Sequence, residues 1–172
     1  VTTIFVTHDQ EEAMSISDLI IVMKAGIIQQ IGNPQDVYDD PHNLFVAEFL
    51  GSPAINVFEG EVRKEQLLIG DEAVLPVPGI QDQNVFAGIR PEGFILDENG
   101  PFTCTMQNIE VMGRDISVIS NHPLSKNHKA IRSIISSDNM VSASSQKVRF
   151  SLKKNKVVLF RSDNEERIYF TE

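Results

Sequence analysis

His8 stands directly after the apolar run Ile4-Phe5-Val6 and directly before the charged stretch from Asp9 to Met14, a titratable ring at the junction of two patterns. Imidazole is compact, carries two ring nitrogens and can donate to a phosphate oxygen without a permanent charge. Taken alone, such a histidine reads as a junction residue that satisfies a neighbouring backbone group. The other titratable positions offer less chemistry. His122 and His128, in "NHPLSKNH", have no nearby Cys or carboxylate to complete a metal site and are expected on a loop surface. Glu11 and Glu12 are adjacent, so on a helix they point apart and make no acid and base pair; they suit the positive end of a helix dipole. Arg90-Pro91-Glu92 reads as a structural turn after the run "VFAGI", with Pro91 fixing φ, rather than as a ligand clamp. Cys104, the single cysteine, sits in the alternation "FTCTM" and reads as a small core residue, not a nucleophile.

The elements around His8 set its geometry. Ile4, Phe5 and Val6 predict a strand covered on both faces, as in a parallel sheet. Asp9 predicts a helix cap, with Glu12 three positions on in the spacing of a capping box, and Ala13, Ile16 and Ile20 recur at helical intervals. His8 is thereby placed at the carboxyl end of a strand and the start of a helix, where α/β folds hold ligands. "DLIIVMKAGIIQQIG" predicts a hairpin turning at Ala25-Gly26. Asn33-Pro34 opens a short helical turn. Asp40-Pro41 predicts a further helix, with Asp40 at the cap, Phe45, Val46, Phe49 and Leu50 on one stripe, and Gly51 at the stop.

After "GSP", Gly51 to Pro53, the pattern changes to short alternating segments. Phe58, Gly60 and Val62 share one face of a strand; Val148, Phe150 and Leu152 share one face of another, and Ile89 should join them in a core. Several short strands punctuated by Gly, Pro, Asn and Asp predict a small antiparallel barrel. The fold class is therefore mostly β: an α/β remnant over 1–52, then an OB-like barrel over 53–172, with few core contacts expected to cross the boundary near Ser52. The polar, Ser-rich segment 121–147 is expected to hold a long loop.

Composition narrows the function. The chain has 172 residues, 41% hydrophobic and 23% charged, with a formal net charge of −9 that argues against a nucleic-acid partner. No apolar run reaches the length of about 18 residues that a membrane span needs. One cysteine excludes an internal disulfide and fits a reducing, cytoplasmic compartment. An apolar "IFV" so close to a start without Met suggests a piece of a larger protein.

"VTHDQEEA", "GNPQDVYDDPHNLFVAEFLGSP", "GIRPEGFIL" and "MQNIEVMGRD" together resemble the region after the nucleotide-binding core of ABC importer ATPases, especially the carbohydrate-importer group typified by the maltose importer. The resemblance is strong over Val1 to Val62, moderate to about Ser120 and weak beyond. It implies that His8 is the histidine of the switch loop, contacting the ATP γ-phosphate in an intact subunit. It also implies ATP and Mg²⁺ as cofactors there, a second copy of the subunit, membrane permease subunits and a place on the inner face of the membrane; a regulatory protein partner is compatible with it. No G-x-x-x-x-G-K-[ST] loop and no Ser-Gly-Gly-Gln signature occur in this sequence. The chain by itself is therefore expected to be inactive, with no cofactor and no metal bound. Carbohydrate is the solute the resemblance favours; polyamine, glycerol phosphate, inorganic anions and metals are the alternatives. A stand-alone OB-like ligand- or protein-binding regulatory module is the reading from a different class.

Overall fold

The structure, a computed structural model, describes residues 1–138 and 146–171. Helix α1 (Gln10–Ile16) starts where the capping pattern puts it, Asp9 accepting from the Glu12 N–H at 3.1 Å. It ends at Ile16; Ile20 belongs instead to strand β1 (Ile20–Lys24), where its side chain is buried. β1 pairs antiparallel with β2 (Ile27–Gly32). The turn between them needs left-handed backbone, which Ala25 and Gly26 adopt at φ 49° and 79°. Helix α2 (Pro34–Asp39) is capped by Asn33. Helix α3 (Leu44–Phe49) begins later than Asp40-Pro41 predicts: Asn43 is the cap, accepting from the Val46 N–H at 2.9 Å, and the short Asp40 to His42 stretch is a connector.

The strand expected at Ile4 to Val6 is not formed. Residues 1–7 form neither helix nor strand, and Ile4, Phe5 and Val6 are exposed. A parallel strand is stable only with neighbours that satisfy its N–H and C=O groups. Every strand pair among the described residues is antiparallel, and none borders this segment.

The rest is a two-layered β structure of OB type. One sheet has six strands in the order β13 (Arg167–Ile168), β12 (Val157–Arg161), β6 (Gln83–Ile89), β3 (Asn56–Arg63), β4 (Gln66–Ile69) and β5 (Glu72–Pro76). The other has five in the order β10 (Ile131–Ser136), β9 (Asp115–Asn121), β8 (Phe102–Met112), β11 (Lys147–Leu152) and β7 (Phe94–Leu96). Phe58, Val62, Ile89, Val148, Phe150 and Leu152 fall in one buried cluster between the sheets, as the alternation predicts. Aromatic edges lock it, Phe58 against Phe102 at 5.2 Å and Phe94 against Phe150 at 5.1 Å between ring centres. The segment 121–147 is not simply a loop: β10 runs through it, burying Ile131, Ser133 and Ile135, while 139–145 lie outside the described residues.

Contacts across residue 52 are not few. Leu44 and Ala47 of α3 pack on Ile55, Val57, Val158 and Phe160 of the outer barrel face. From the same helix, Val46 and the following Leu50 pack the other way, on Ile20, Val22 and Val37. Burial on both sides makes this six-residue helix a wedge between hairpin and barrel, although a helix so short would not hold in water by itself. Among the described residues, no helix is long and apolar enough to cross a membrane.

Candidate functional site

His8 lies at a bend immediately ahead of α1 and is exposed. Asp9 N–H donates to Thr7 Oγ1 at 3.0 Å and the Asp9 carboxylate caps α1, so the residues on both sides of His8 are held by local bonds. The imidazole itself has no hydrogen-bond partner among the described residues. No backbone group among the described residues satisfies the ring, which is exposed to solvent. Glu11 and Glu12 occupy the first turn of α1 as dipole charges, with Glu12 also accepting from Thr7 Oγ1 at 3.4 Å.

Arg90 is far more than a turn residue. It follows β6 directly, is only 3% exposed, and its guanidinium reaches out of the barrel to the ends of the two helices. Nη1 donates to Ala47 O at 3.1 Å and Leu50 O at 2.7 Å, and Nη2 to Tyr38 O at 2.7 Å. These acceptors are carbonyls at the ends of α2 and α3, the orphan groups of a helix C-terminus, where the dipole also favours a cation. The guanidinium lies over the Tyr38 ring, 3.8 Å from its centre. Burial pulls the Arg90 pKa down, opposed by Tyr38, Glu92 and Asp39. Burial, with Glu92 accepting from the phenol at 3.1 Å, pushes Tyr38 up to about 12. Lys156 bridges the same corner, 3.2 Å from Asp39 and 3.6 Å from Glu92. The sequence hint for this role is an Arg closing an apolar run directly before Pro; its partners, 40 to 52 positions away, leave no local mark.

Cys104 is buried, and burial pushes its thiol up to about 12, which fits a core residue and not a nucleophile. His128 is exposed as expected. His122 is not a surface residue: it is half-buried, its ring edge-on to Phe58 at 5.9 Å and tilted against Phe102 at 5.3 Å. Its Nδ1 accepts from Leu124 N–H at 3.1 Å, and burial lowers its pKa against the opposing pull of Glu72. No group of three or more His, Cys, Asp or Glu positioned for a metal occurs among the described residues.

The class is a two-sheet β barrel of OB type, joined through a wedge helix to a small α/β segment bearing the exposed His8. Residues 51–94 match the family described as the MalK OB fold domain. Relatives extend along the whole chain. The sn-glycerol-3-phosphate import ATP-binding protein UgpC of a Ruegeria species is 32% identical over 98% of this chain and 47% of its own length. The oligosaccharides import ATP-binding protein MsmX of Bacillus subtilis is 41% identical over 69% of this chain and 37% of its own. The Fe(3+) ions import ATP-binding protein FbpC of Fusobacterium nucleatum is 47% identical over 58% of this chain and 27% of its own. Along its length the chain is similar to the ATP-binding subunits of ABC importers, and over 51–94 it matches the MalK-type OB domain; the carbohydrate-importer group fits. It spans less than half the length of these relatives.

Proposed function

We propose that this chain is the carboxyl-terminal part of the ATP-hydrolysing subunit of an ABC importer, and that His8 is its switch histidine. Residues 1–52 would close the nucleotide-binding domain, and 53–172 would form the accessory barrel for dimerisation and regulation. The observation that supports the reading is an exposed imidazole without a hydrogen-bond partner among the described residues, held between a local Thr7 to Asp9 bond and a capped helix. Those residues fit one edge of a nucleotide. ATP, with Mg²⁺, would supply the phosphoryl group whose hydrolysis drives import. His8 would donate a ring N–H to a phosphate oxygen, and α1, with no buried residue, could carry the ring toward or away from it. The chain has no phosphate loop, so the cradle would come from the rest of the subunit.

The working assembly would be a homodimer of such subunits on the cytoplasmic face of membrane permease subunits. Carbohydrate is the solute we favour, supported by the MalK-type domain and the oligosaccharide relative; glycerol phosphate and iron are named by other relatives. In the complete subunit, His8→Ala should leave nucleotide binding near normal and lower ATP turnover by about 10². Unchanged turnover removes His8 from the mechanism. The 172-residue chain alone should show no saturable ATP binding by calorimetry at micromolar concentration, and a measurable isotherm there contradicts the assignment of the phosphate cradle to other residues.

A further inference from the structure

α1 has no buried residue, and Met14 alone of its side chains packs, partly buried, on the hairpin cluster. Its firmest tie is the Gln10 side chain. Gln10 Nε2 donates to Gly51 O at 3.3 Å, and Gly51 N–H donates to Gln10 Oε1 at 2.6 Å. A primary amide presents donor and acceptor side by side, which matches the N–H and C=O of a single residue. Gly51 has φ 115°, and a Cβ there would lie 3.0 Å from Tyr38 Cε2 and 3.2 Å from Arg90 Nη1, so the position is closed to larger residues.

The N–H of Gly51 and the C=O of Leu50 belong to one peptide group. Arg90 donates to that carbonyl at 2.7 Å while Gln10 accepts from that N–H at 2.6 Å. A cation from the barrel thus polarises a peptide whose opposite side grips the helix that follows His8. Hydrogen bonds in such a chain strengthen one another. We propose that Arg90, the Leu50–Gly51 peptide and Gln10 form a mechanical link through which the barrel sets the position of α1, and with it His8. Arg90 and Gln10 are positioning residues, two and more steps from the reacting atoms. The link stands on geometry alone; only its effect on turnover rests on the switch reading of His8.

The test uses ¹⁵N relaxation of the 172-residue chain. Backbone order parameters over Glu11 to Ile16 should fall from about 0.85 to below about 0.6 in Gln10→Ala. Gln10→Glu, which keeps the acceptor for Gly51 N–H and loses the donor, should give an intermediate value. Arg90→Lys should lower the same order parameters. By reciprocity, Gln10→Ala should speed exchange of the Arg90 guanidinium protons by about tenfold. This last measurement decides the matter even if an Arg90 variant fails to fold. Order parameters of α1 unaffected by Gln10→Ala, or guanidinium exchange unaffected by it, would overturn the link. In the complete subunit, Gln10→Ala should lower kcat while leaving the KM for ATP in place. If order parameters respond and kcat does not, the link stands and the role of His8 falls.

Discussion

Arg90→Ala tests how the barrel and the helices are held as one body. The side chain is 3% exposed and supplies three hydrogen bonds, two of them at 2.7 Å, to carbonyls with no other partner in their helices. Bonds from a charged donor contribute about 1.5–3 kcal/mol each in isolation, but they do not add, because truncation admits water and relieves the desolvation of the guanidinium. Breaking a buried charged network costs about 3–5 kcal/mol, and we expect Arg90→Ala to fall in that range. Set against a typical stability of about 5–15 kcal/mol, such a loss is large. Arg90→Lys keeps the charge but loses the planar fork and the stack on Tyr38, for about 1–3 kcal/mol. The assay is urea unfolding followed by two probes. Tyr38 lies under the guanidinium and is one of only two tyrosines, and there is no Trp, so tyrosine fluorescence is weighted to the joint while far-UV circular dichroism is weighted to the barrel. The fluorescence transition of the Ala variant should move to lower urea ahead of the dichroism. A change below about 1 kcal/mol by both probes would refute the network as the joint's main support.

Two further outcomes follow from one half-buried and one buried group. His122 has a folded-state pKa below its usual value, so the unfolded chain binds a proton that the folded chain refuses; stability should be full above about pH 6.5 and decline as pH falls through that value, and His122→Gln should flatten the decline in urea midpoints between pH 5 and 7.5. Cys104, with its thiol pushed up to about 12 and its side chain buried, should resist a thiol reagent at neutral pH in the native chain and react at once in denaturant; rapid native labelling would contradict its core placement.

Local chemistry made some elements legible and tertiary context hid others. The β1–β2 turn is readable because left-handed backbone at Ala25-Gly26 needs residues that tolerate it. The start of α3 is not, because Asp40 and Asn43 both offer a cap and only packing selects Asn43: Leu44 and Ala47 must face the barrel while Val46 faces the hairpin. β10 escapes notice because its buried face includes Ser133, and the β9 strand beside it buries Ser117 and Ser120, so alternation by hydrophobicity fails where serine sits inside. The apolar run Ile4 to Val6 misleads in the opposite direction: a strand-like sequence forms no strand without neighbours to pair with.

The candidate site divides along the same line. His8 and its cap are local features, the carboxylate of Asp9 reaching the N–H of Glu12 only three positions on. What steadies them is remote: Gln10 grips Gly51 across 41 positions, and Arg90 reaches Leu50 across 40. The two reaches converge on one peptide group that carries no side-chain signal, so neither end betrays the other in the sequence. A substitution in the barrel that shifts Arg90 by a fraction of an ångström would stretch bonds already set at 2.6 and 2.7 Å, and the strain would be delivered to the first residue of α1. If His8 works as proposed, the barrel has a covalent and hydrogen-bonded route to it through Arg90, the Leu50–Gly51 peptide and Gln10.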